Sequence, residues 1–109
     1  MTPEGRVKEI IKRVLDRYKP ELIGEWPVLN GMSTPTLDYN GCFKGYSFKI
    51  EAKAPGKKLT PRQVQISKQW QAAGCKIFEI DGDVTQLVFW LEVLHNSPSA
   101  SQLIKGYKP

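Results

Sequence analysis

Apolar residues recur at helical spacing from the start of the chain. Val7, Ile10, Ile11, Val14, Leu15 and Tyr18 fall on one face, and Arg6, Lys8, Lys12, Arg13 and Arg17 fill the other. Thr2 can cap this helix and Pro3 suits its first position, while Pro20 closes it. The period then changes. "LIGEWPVL", Leu22 to Leu29, reads as a short edge strand, because Pro27 argues against a central place. "NGMSTPT" is loop. Two alternating runs follow, Leu37 to Phe43 and Tyr46 to Ala54, joined by Lys44-Gly45.

Thr60 and Gln63 are spaced as a capping box at the head of a second helix. That helix passes Ile66 and Trp70 to Ala73 and stops at Gly74. "KIFEI" is a buried strand and "DGD" a turn, with Asp81 and Asp83 in turn and cap roles. Val84, Leu87, Val88, Leu91 and Leu94 mark a third helix, with His95 in a surface or capping place at its end. The order is helix, three strands, helix, strand, helix: an α/β domain with a mixed sheet flanked by helices, over residues 1–95. Periodicity fails in "NSPSASQLIKGYKP", residues 96–109, which is expected to be a loosely ordered or partner-binding tail.

A two-residue turn at Lys44-Gly45 sets the pairing of the hairpin. Phe43 then faces Tyr46, Gly41 faces Phe48 and Tyr39 faces Ile50, making one apolar face for the helices. The other face carries Asp38, Asn40, Cys42, Ser47, Lys49, Glu51 and Lys53, with Asp38 directly opposite Glu51. Carboxylates so placed repel each other. Two readings of that face are open. Glu51 could pair with Lys49 and Lys53 on a solvated surface, contributing about 0–1 kcal/mol. Alternatively, a hard divalent cation could join the two acids, since Mg²⁺ favours one or two carboxylates plus waters and phosphate oxygens.

Composition narrows the partners. The 109 residues include sixteen Lys and Arg against eleven Asp and Glu, a formal charge of +5, which favours a polyanion and nucleic acid first. Cys42 and Cys75, without CxxC spacing or a His partner, are expected to be partly buried thiols rather than a zinc site or a disulfide framework. No apolar run is long enough to span a membrane, and "MTPEGRVKEIIKR" lacks a signal peptide's apolar segment, so a soluble intracellular protein is expected.

An acid on one strand followed by Glu-x-Lys on the next resembles the PD-(D/E)xK nuclease superfamily. The combination of "TPEG", "PTLD", "FKIEAKAPGKKLTPRQ" and "AAGCKIFEIDGD" is similar, more closely, to stand-alone phage-type VRR-NUC domains. One departure stands: proline usually immediately precedes the first acid, whereas here Pro35 lies three residues before Asp38 and Leu37 takes its place.

The resemblance implies a restriction-endonuclease-like core and a Mg²⁺- or Mn²⁺-dependent endonuclease that hydrolyses phosphodiester bonds in DNA. It makes Asp38 and Glu51 metal ligands together with the carbonyl of Ala52, and Lys53 the catalytic lysine. Glu4 becomes an acid brought in by the first helix, and Gln63 a support for the lysine or the attacking water. Helix-dipole and capping roles explain Glu4 and Gln63 equally. Lys57, Lys58 and Arg62, with Lys44 and Lys49, are candidates for backbone phosphates, against the plain alternative of a solvated charged loop.

By the same likeness the substrate is branched DNA such as a Holliday junction, cut by a homodimer to which Trp26, Trp70, Phe89 and Trp90 could lend surface if they are not core. The setting implied is the cytoplasm of a phage-infected or prophage-bearing cell, with no membrane and no nucleotide cofactor. The competing functions are a nicking or flap endonuclease on the same site, a non-enzymatic nucleic-acid-binding module, and a protein-interaction domain using the basic helix face.

Overall fold

A computed structural model describes residues 1–28 and 36–97. Elements follow in the order α1 (Pro3–Asp16), β1 (Ile23–Glu25), β2 (Tyr39–Phe43), β3 (Tyr46–Ala52), α2 (Pro61–Ala72), β4 (Lys76–Ile80) and α3 (Thr85–His95). This is the expected order. The loop around Pro35 and nearly all of the expected tail lie outside the described residues.

The four strands form one sheet, ordered β1-β2-β3-β4. β1, β2 and β3 are antiparallel neighbours, while β3 and β4 run parallel across the α2 crossover. The hairpin register is the expected one, with Phe43 opposite Tyr46, Gly41 opposite Phe48 and Tyr39 opposite Ile50. Lys44 and Gly45 both have positive φ, 52° and 88°. Mirror-image hairpin turns need this, and their twist matches that of the strands.

The alternation therefore sends Tyr39, Phe43, Phe48, Ile50 and Ala52 into one core with Val7, Ile11, Val14 and Leu15 of α1 and Leu87, Leu91 and Leu94 of α3. Phe78 and Ile80 join from β4, because the parallel register sets them beside Ile50 and Ala52. α2 covers the opposite face. Its Gln63 hydrogen-bonds Glu51, and its Trp70 lies against Lys49. The supposedly solvated strand face is thus roofed: Lys49 and Glu51 are 5 % and 4 % exposed.

Several expectations change in detail. Ile10, at a core spacing in sequence, is 39 % exposed because α1 turns it past the edge of the sheet contact. The first strand is only three residues long, since pairing with β2 ends at Glu25 opposite Asn40. Cys42 points outward and is exposed, while Cys75 is buried. Tyr46, at the hairpin end, keeps a partly exposed ring. Trp26 and Trp90 pack against the core, Trp90 meeting both Phe48 and Phe78 edge-on, whereas Phe89 is 70 % exposed.

Gly24 and Gly41 face each other across β1 and β2 and leave space for aromatic rings. A Cβ on Gly41 would stand 2.5 Å from the Phe48 ring and 2.8 Å from that of Tyr39, both fully packed. Gly41→Ala should therefore overpack the core and destabilise the fold by about 1–3 kcal/mol, read as a lower urea midpoint at unchanged slope.

Candidate metal and phosphate site

The acids meet where β2 begins and β3 ends. Asp38 precedes β2 by one residue, and Glu51 lies opposite it in the continued hairpin register. Side chains close the ladder there. The Asp38 N–H donates to Glu51 Oε1 at 3.2 Å, and the Ala52 N–H donates to Asp38 Oδ2 at 2.9 Å. Each carboxylate is held by main chain belonging to the other's strand. Ala52 directs its carbonyl to the same side of β3 as that N–H, toward Asp38, by strand geometry.

Glu51 is the centre of the cluster. Its Oε2 accepts from Gln63 Nε2 at 2.9 Å and lies 3.7 Å from Lys53 Nζ. Gln63 serves two ends at once. Its Oε1 accepts from the Thr60 N–H at 3.0 Å, and its own N–H donates to Thr60 Oγ1 at 3.2 Å, completing the capping box. The cap and the contact with Glu51 come from one residue in one conformation, and the hydrogen bond goes to the acid, not to Lys53.

α1 adds a relay that sequence reasoning missed. Lys8 Nζ stands 3.7 Å from Glu4 and 3.9 Å from Asp38 Oδ1, so Glu4 approaches the acids through a lysine. The i,i+4 spacing of Glu4 and Lys8 was a visible signal, but nothing in it pointed to Asp38. Glu4 also sits in the first turn of α1, where Thr2 caps the Gly5 N–H.

Burial, then the charge of Asp38, push the Glu51 carboxyl up to about 7, with Lys53 pulling the other way. That is the expected behaviour of two carboxylates sharing a dry corner without enough positive charge. The donor set suits a hard cation in kind: two carboxylates and a strand-end carbonyl, all oxygen, although Lys8 already stands 3.9 Å from Asp38 Oδ1. Among the described residues no group of three or more His, Cys, Asp or Glu side chains is arranged to hold a metal. A pair of carboxylates is nevertheless within the usual Mg²⁺ requirement.

The basic candidates separate. Lys57 and Lys58 are exposed on the loop leaving β3, and Arg62 is exposed in the first turn of α2. That loop is tied to the β4–α3 turn by Gly56 N–H donating to Asp81 Oδ2 at 3.3 Å. Lys44 lies at the opposite end of the hairpin, where its Nζ donates to the carbonyls of His95 and Ser97 at 3.0 and 2.8 Å. It caps α3 instead of facing the acids. Lys49 is buried, donating to Asn40 Oδ1 with its Nζ 3.9 Å from the centre of the Trp70 ring. Neither is an exposed phosphate contact beside Glu51. Asp83 caps α3 through the Thr85 N–H and hydroxyl, as the turn reading anticipated.

The chain matches no family model, no curated protein and no solved structure. Among the described residues no helix is long and apolar enough to cross a membrane.

Because the folded Glu51 carboxyl titrates above its ordinary value of 4.5, the unfolded chain ionises first as pH rises. Stability present below about 4.5 should be lost progressively as pH climbs through about 7, by up to about 3 kcal/mol. Glu51→Gln should lack this component, and in chelator at pH 8 should exceed wild type in urea denaturation. Mn²⁺ should stabilise wild type and leave the variant unchanged.

Proposed function

We propose that this protein is a Mg²⁺- or Mn²⁺-dependent DNA endonuclease of the PD-(D/E)xK type with a restriction-endonuclease-like core. The observation that carries the reading is the buried carboxyl of Glu51, held in one cluster with Asp38, Lys53 and Gln63. A destabilised acid pair with a lysine beside it, at the mouth of basic loops, is the kind of perturbed group found at functional sites.

Asp38, Glu51 and the Ala52 carbonyl would hold the cation. When bound, the ion lowers the pKa of a water and neutralises charge on a phosphate. Lys53, largely buried beside Glu51, stabilises negative charge growing on the phosphorus oxygens and orients the nucleophile. Gln63 would hold the Glu51 carboxylate in place through its amide N–H. Lys57, Lys58 and Arg62 take neighbouring backbone phosphates, which makes affinity fall steeply with salt and carries no base information.

Branched DNA, including four-way junctions, is the substrate class that the family likeness favours. Paired incision would then require a second copy, since the described residues of one chain offer one such site. The cytoplasm of a phage-infected or prophage-bearing cell belongs to the same reading.

The test is a cleavage panel of four-way, flap, splayed and linear duplex DNA with Mn²⁺ or Mg²⁺. Lys53→Gln should bind DNA as wild type does yet cut at least about 10²-fold more slowly. A near-wild-type rate for this variant removes Lys53 from the chemistry. Salt-sensitive binding without cleavage by wild type in either metal makes the protein a binding module instead.

A further inference from the structure

A second feature lies on the same sheet face, between β2, β3 and α2. A cleft of about 410 Å³ is lined by Asn40, Lys49, Arg62, Ile66, Gln69 and Trp70. Lys49 and Glu51 are two residues apart on one side of β3, so the cleft begins about 7 Å from the acids. Arg62, next in sequence to Gln63, lines the cleft.

Its chemistry differs from that of the acid corner. Lys49 is 5 % exposed, and burying an ammonium is unfavourable unless something holds it. Here Asn40 Oδ1 and the Trp70 ring hold it. The cation in turn fixes the Trp70 ring, which remains 46 % exposed. With Asn40 Oδ1 taken by Lys49, Nδ2 is the part of that amide left to donate, and Gln69 offers a second amide. A braced indole with amide groups around it suits a flat, hydrogen-bonding heterocycle better than a phosphate.

Resting on the nucleic-acid reading given above, we propose that this cleft takes one unpaired nucleobase from the strand whose phosphate lies at the acid site. The base stacks on the exposed part of the Trp70 indole that Lys49 leaves open and meets the Asn40 and Gln69 amides, with Arg62 on the adjoining phosphate. A paired duplex supplies such a base only after unstacking it, whereas branch points, flaps and single strands offer it freely. The cleft therefore selects DNA by the availability of an unpaired base, not by its sequence.

The test uses binding in chelator, which separates it from cleavage. The probes are a short oligothymidine and the same backbone with every base removed, both followed by fluorescence anisotropy. Wild type should bind the oligothymidine about tenfold or more tightly than the abasic strand. Trp70→Ala should bind both alike, at the abasic affinity, while Trp70→Phe should retain most of the preference. Because the abasic comparison is made on wild type, a fold defect in a variant cannot imitate the result.

Equal wild-type affinity for the two strands overturns the cleft, whatever the cleavage panel gives. A base preference without cleavage in any metal supports the cleft while the nuclease reading fails. Absence of binding to either strand at low salt also overturns the cleft, and the cleavage panel alone then decides the nuclease reading.

Discussion

A two-residue turn decides which side chains see the core and which see the acid corner. With Lys44 and Gly45 both in the left-handed region, β2 and β3 pair in one register, and alternation does the rest. Tyr39, Phe48 and Ile50 go one way; Asn40, Lys49 and Glu51 go the other. A shift of one residue would drive Glu51 into the aromatic cluster and expose Phe48 and Ile50. The apolar face thus enforces the geometry of the polar one. The meeting of Asp38 with Glu51 is a by-product of burying Phe48.

Roofing the polar face with α2 creates tension instead of relieving it. A helix whose one buried residue is Ser67, with Val64 and Ile66 only half-buried, gains less from apolar contact than α1 or α3 and relies more on its capping box and on the groups it covers. Those groups are a lysine under an indole and a carboxyl with too little positive charge around it. Natural folds tolerate such local conflict chiefly where a ligand resolves it. The aromatic packing of Phe48, Phe78 and Trp90 on the far face provides the stability against which the conflict is set.

Much of this was legible in the chain. Strict alternation in "YSFKIEA" and the turn residues at Lys44-Gly45 gave the hairpin and its facing pairs, because the period of a strand is rigid. Thr60 and Gln63 announced the head of α2, because capping is local chemistry. What escaped depended on distance in space. Nothing near Lys49 in sequence signals Trp70, twenty-one positions on, so a buried lysine read as a surface one. Lys8 looked like part of the wet side of α1 until the approach of that helix to Asp38 was known. Ile10 failed in the opposite sense: helical spacing gives a stripe, but the width of the partner surface decides how much of it is covered.

The carboxamide of Gln63 has its polarity committed at both ends, oxygen to the Thr60 main chain and nitrogen to Glu51. Rotating that group by half a turn would set oxygen against carboxylate and NH₂ against N–H, breaking two contacts together. The point at which α2 starts and the anchoring of an acid twelve residues earlier consequently depend on one side chain. An insertion or deletion in the β3–α2 loop that re-phased the helix would therefore withdraw the amide from Glu51 and undo the cap in the same step.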